Sequence, residues 1–149
     1  MSQVQSLTTA EERTLACVAG LMIPASTAHR VPGADDPEIL ADIVRSLGRD
    51  GAAVRAALVR LDTLAGGCFA DLAALRQEEV AATFRAEGGA TLAALTRSIL
   101  LCYYRDDRVM RALDMEVRPP FPKGHTVEQG DWSLLDPVRR RAKLWRDAS

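Results

Sequence analysis

The sequence predicts an all-α protein, a compact bundle of about six helices followed by an extended proline-rich C-terminal tail that ends in a short helix. Three observations carry this. Ala and Leu dominate an apolar fraction of 48%, whereas the strand-favouring aromatics Phe, Trp and Tyr make up only 5%. Apolar residues recur at spacings of three and four between helix start and stop signals. Four of the seven prolines and both tryptophans fall within residues 116–149. A helical body over 1–115 and a tail over 116–149 are therefore expected.

The elements follow from local chemistry. Thr8 and Thr9, with Glu11 and Glu12 three residues on, have the form of a capping box, and Leu15, Val18, Ala19 and Met22 continue a helix to the stop at Pro24. The stretch PASTAHRVPGADD reads as a loop. Asp36 as N-cap and Pro37 in the first turn start a second helix with a stripe of Ile39, Leu40, Ile43, Val44 and Leu47. Gly48 suits its left-handed end, and Asp50 is the expected cap of a third helix bearing Val54, Ala57, Leu58, Leu61, Leu64 and Ala65. Gly66-Gly67 stops it.

Phe69 and Leu72 are expected to fold inward before a fourth helix, about 73–86, whose stripe is Leu75, Val80 and Phe84. After Gly88-Gly89, the segment TLAALTRSILLCYYR is apolar on nearly every side and is expected to be the central helix. Asp106 and Asp107 can cap a short sixth helix through Val109, Met110 and Leu113.

Prolines 119, 120 and 122 with Gly124 and Gly130 favour an extended path from Arg118 to Leu135. At about 3.3 Å per residue such a strap spans about 60 Å, against a radius of gyration of about 13 Å for the body. Asp136-Pro137 then restarts a helix, expected to reach Trp145 as an amphipathic foot. The strap and foot carry Phe121, Trp132, Leu135, Val138 and Trp145, which must be buried either on the body or on another protein.

Function classes are narrowed by what the chain contains. A formal charge of -1, from 19 basic and 20 acidic side chains, offers no field for nucleic acid or an anionic membrane. The apolar run from Leu15 to Ile23 is far short of the about 20 residues a bilayer span needs. Cys17, Cys68 and Cys102 lack zinc or thioredoxin spacing and are expected to be reduced, mostly buried thiols. His29 and His125 have no companion ligands, so no metal site is expected. The acidic pairs Asp35-Asp36 and Asp106-Asp107 sit where helix caps belong. No dinucleotide, phosphate or acyl-transfer motif occurs, and neither catalytic nor cofactor-binding residues are expected.

Three segments carry a resemblance. LACVAGLMIPASTAHRVPGADDPEILADIV, ILLCYYRDDRVMRALDM and the ending PPFPKGH…DWSLLDPVRRR together resemble the gluconate 2-dehydrogenase subunit 3 family. That resemblance implies a small subunit that binds and stabilises a large FAD-containing subunit of the glucose-methanol-choline type. The partner would hold the FAD and oxidise sugars, sugar acids, glycosides or other alcohols, often passing electrons to a cytochrome subunit. Members of that family commonly carry a twin-arginine leader, whereas this chain opens MSQVQSLTTAEER. Cytoplasmic location is therefore expected, or periplasmic if a leader was removed or supplied by a partner.

The expected partner interface comprises Tyr103, Tyr104 and Arg105 on the body. In the tail it comprises Arg118, Pro119, Pro120, Phe121, Pro122, His125, Trp132, Leu135, Arg139 and Trp145. The competing expectations are a free-standing ligand-binding or enzymatic domain with a pocket near Tyr103 to Arg105, and a regulator that dimerises through the tail.

Overall fold

The computed structural model describes residues 7–117, 124 and 128–142. The chain divides into two units, Met1–Val117 and Arg118–Ser149. The first contains α1 (Thr9–Met22), α2 (Pro37–Ser46), α3 (Gly51–Ala65), α4 (Ala74–Glu87), α5 (Gly89–Tyr103) and α6 (Asp107–Ala112), and the second contains α7 (Asp136–Arg139). The fold is all-α. The described residues contain no strand beyond an isolated bridge between Ser26 and Val31.

The start signals act as their chemistry dictates. The Thr8 hydroxyl accepts from the Glu11 N–H (3.2 Å), and Glu11 accepts in return from the Thr8 N–H (2.7 Å). The other Glu11 oxygen accepts from Arg55 Nε (2.9 Å), so the cap of α1 also pins that helix to α3. Asp36 accepts from the Glu38 N–H (3.0 Å) at the start of α2, and Asp106 accepts from the Arg108 N–H (2.9 Å) at the start of α6. At the end of α3, Gly66 adopts φ +70 while the Gly67 and Gly66 N–H groups reach back to the carbonyls of Asp62 (3.1 Å) and Thr63 (3.2 Å). This is the paired closure a left-handed glycine permits.

The loop after α1 is closed on itself. Ser26 and Val31 exchange backbone bonds of 3.1 Å, and the Ala34 N–H donates to Ile23 O (2.9 Å). A Cβ on buried Gly33 would lie 2.2 Å from an Asp35 carboxylate oxygen and 3.0 Å from the Ala25 nitrogen, so any larger residue there would have to displace Asp35 and press on the backbone.

Four expectations are corrected. The hub is α3 rather than α5: α1, α4 and α5 all pack on α3, and Val54, Ala57, Leu58 and Leu61 are fully buried, while α2 packs on α5. The greater hydrophobicity of α5 is partly spent on an open side, where Leu101 is 61% exposed. Asp50 precedes α3 but makes no capping bond, because its carboxylate takes two guanidinium N–H groups of Arg97, Nη2 at 2.8 Å and Nε at 3.1 Å. Leu75 is 77% exposed, leaving Val80 and Phe84 to bury α4. In the second unit, Trp132–Leu135 form a 3₁₀ turn rather than the end of an extended strap. Among the described residues the foot is the single turn of α7, closing at Arg140, so the helix expected to run unbroken to Trp145 is interrupted.

A polar tie went unread in the sequence. One oxygen of Asp62 on α3 accepts from the buried Thr14 hydroxyl of α1 (3.0 Å) and from the Phe69 N–H (2.8 Å), which starts the turn leading to α4. Removing it orphans a hydroxyl and an amide. Asp62→Ala should cost about 1–3 kcal/mol in urea denaturation, and Asp62→Asn, which keeps an acceptor, should cost less. Equal losses in the two variants would remove the acceptor explanation.

Candidate functional site

The residues expected at an interface fall in three places. Arg118, Pro119, Pro120, Phe121, Pro122, His125 and Trp145 lie outside the described residues. Trp132, Leu135 and Arg139 lie in the second unit, and Tyr103, Tyr104 and Arg105 at the end of α5.

In the second unit, Asp131 accepts from both the Ser133 N–H (3.0 Å) and the Ser133 hydroxyl (2.6 Å), winding the 3₁₀ turn that presents Trp132. Asp136 turns its carboxylate to Arg139 (3.3 Å). Only one helical turn follows, too short to spread the cost of helix nucleation. Trp132, Leu134, Leu135 and Val138 are 59%, 73%, 41% and 56% exposed, a concentration of large apolar groups in seven consecutive residues.

At the end of α5 the three neighbours diverge. Tyr103 is buried, and its hydroxyl donates to Pro32 O (3.1 Å), locking α5 onto the α1–α2 loop. It is a packing residue, and burial pushes its phenol up. Tyr104 meets it edge-on, centroids 5.2 Å apart, and is itself exposed. Arg105 bonds to Asp42 (2.6 Å) and to the Ser46 hydroxyl. These side chains do not line one common pocket. A cleft of about 330 Å³ beside them is formed by Ile39, Asp42, Arg45, Cys102, Arg105 and Arg108 among others, but neither tyrosine borders it.

The charges in that cleft satisfy one another. Arg108 donates to Asp36 (2.8 and 3.1 Å) and to Asp106 (2.9 and 3.0 Å), so one guanidinium bridges the N-caps of α2 and α6. Hydrogen bonding to Arg108 holds both carboxyls below the usual range against the opposing effect of burial. Arg105 does the same for Asp42. Burial pushes the Cys102 thiol up, which leaves it a weak nucleophile. Exposed His29 donates its backbone N–H to the Ser26 hydroxyl (3.3 Å). Among the described residues no cluster of His, Cys, Asp and Glu is arranged to hold a metal ion, and no helix is long and apolar enough to cross a membrane.

A second concave surface has no counterpart in the sequence reading. From the one-residue junction at Gly88, α4 and α5 both pack on α3 yet make little contact with each other. The wedge between them, with the end of α1 along it, is an apolar groove of about 270 Å³. Its residues come from three helices, so no spacing within one helix reveals it.

A carboxyl whose pKa folding lowers contributes stability above its ordinary value, 3.8 for Asp36 and Asp106. That contribution is lost as pH falls through the depressed folded value. Stability should therefore drop as pH falls below about 4, and Arg108→Gln should flatten part of that drop in denaturation series across pH. At neutral pH the loss should be about 1 kcal/mol, since Arg108 is 38% exposed and solvent screens the network.

Comparison with family models, curated proteins and solved structures finds no match to this chain.

Proposed function

We propose that the chain is a non-catalytic small subunit that binds and stabilises a larger FAD-dependent oxidoreductase of the glucose-methanol-choline type, acting on sugars, glycosides or other alcohols. The observation that carries the binding role is the exposure of Trp132, Leu134, Leu135 and Val138 within one short segment. Burying a large apolar side chain is worth about 1.5–3 kcal/mol, and tryptophan with neighbouring arginines is the composition of interface anchors. Asp131 and Asp136 already hold their turns through the Ser133 and Arg139 bonds. Less ordering cost then falls on association.

The identity of the partner rests on the resemblance of the three sequence segments. In this reading the flavin, the substrate site and any cytochrome belong to other subunits, and this chain's groups hold the complex together. The compartment is that of the flavoprotein.

The test is co-purification with a glucose-methanol-choline flavoprotein encoded beside it. The full chain should bring down a partner with flavin absorbance. The double variant Trp132→Ala, Leu135→Ala should bind at least tenfold more weakly, as loss of an anchor pair predicts. Wild-type affinity in the double variant would overturn the anchoring role, and a partner without flavin would overturn the oxidoreductase assignment. A tail-dependent homodimer by light scattering, with no heteromer, would favour the regulator.

A further inference from the structure

We propose that the wedge between α1, α4 and α5 is a binding site for a medium-chain aliphatic monocarboxylate, with its carboxylate on Arg85 and Thr96 and its chain against Leu21, Leu92, Leu95 and Ile99. This does not rest on the partner assignment and concerns a different part of the molecule.

The lining is apolar apart from two groups, the Arg85 guanidinium and the Thr96 hydroxyl. Neither makes a hydrogen bond or ion pair with another side chain among the described residues. Nine of the arginines in the first unit, among them Arg13, Arg60 and Arg97, form ion pairs. Arg85, like Arg30 and Arg49, forms none among the described residues, but of these three only Arg85 borders an apolar groove, and no carboxylate lines that groove. Helical threonines commonly turn their hydroxyl to the carbonyl one turn back. Thr63 does so on Val59 (2.8 Å) and Thr83 on Glu79 (3.0 Å), whereas Thr96 makes no such bond. An exposed guanidinium and a half-buried hydroxyl, neither engaged by another described side chain, thus border one apolar groove.

Donors of these two kinds suit an acceptor-only, negatively charged group, and a guanidinium fork matches a carboxylate. The rest of the ligand must be apolar and narrow. Buried Val18, Phe84, Leu95 and Ile99 form the deep side. The run of α5 from Leu92 to Ile99 is roughly 10 Å long at the helical rise, which suits an extended alkyl chain rather than a fused ring system. The groove, at about 270 Å³, is slightly below the usual range for drug-sized ligands, again in favour of a small chain. By contrast, the Arg105 and Arg108 cleft is internally neutralised, and on the Leu100 and Leu101 side of α5 the one cation, Arg97, is already paired with Asp50.

The experiment is calorimetric titration of the full chain with sodium octanoate, 1-octanol and octylammonium chloride below their aggregation limits. Octanoate should bind saturably at one site, about fivefold more tightly than octanol, the upper range for an exposed ion pair. Octylammonium should be weaker than both. Arg85→Gln changes an exposed, unpaired side chain and so leaves the fold intact. It should bring octanoate down to the octanol level without altering octanol. Leu92→Trp, checked for unchanged helicity by circular dichroism, should abolish binding of both. No saturable octanoate binding, equal affinities for octanoate and octanol, or unchanged octanoate affinity in either variant would overturn the proposal.

Discussion

Three helices share one apolar stripe, Val54, Ala57, Leu58 and Leu61 of α3, and the arrangement of the body follows from that sharing. Burial on this stripe supplies the attraction, but apolar contact is non-directional and does not fix how each helix lies along it. Polar pins at the edges of α3 supply the register. Glu11 with Arg55, and Thr14 with Asp62, hold α1. Arg60 with Glu87 holds the end of α4, and Asp50 with Arg97 holds α5. Most are half-exposed and individually worth little. Their value is that each permits one alignment of its helix.

The same economy of acids recurs at the loop side of the body. Asp36 and Asp106 each terminate a helix and also ligate Arg108, so capping and helix-to-helix attachment share a carboxylate. Tyr103 adds an uncharged tie from α5 to Pro32. With these groups internally occupied, the polar chemistry of this region serves the fold.

What could be read from the chain alone was what is local. Thr8 with Glu11, Asp36 with Pro37, Gly66 and Asp106 act within four residues of themselves, and each behaves as its chemistry predicts. Asp50 misled because its carboxylate is claimed by Arg97, 47 residues away. Leu75 and Leu101 misled because hydrophobic periodicity reports what a helix can bury, not what is present to cover it. Tyr103 looked like its exposed neighbour because the distinguishing partner, Pro32, is 71 residues earlier. The wedge was invisible for the same reason, being assembled from three helices.

The junction between α4 and α5 is one residue long, Gly88, and both it and Gly89 adopt positive φ. With Glu87 tied to Arg60 and Arg97 tied to Asp50, neither helix can swing without breaking an attachment to α3. The gap between them is therefore standing architecture, open before anything enters it. A guest would find its cavity already made and would leave the helical signal of the protein unchanged, so occupancy would be silent to bulk spectroscopy and visible only to heat or to probes placed at the groove itself.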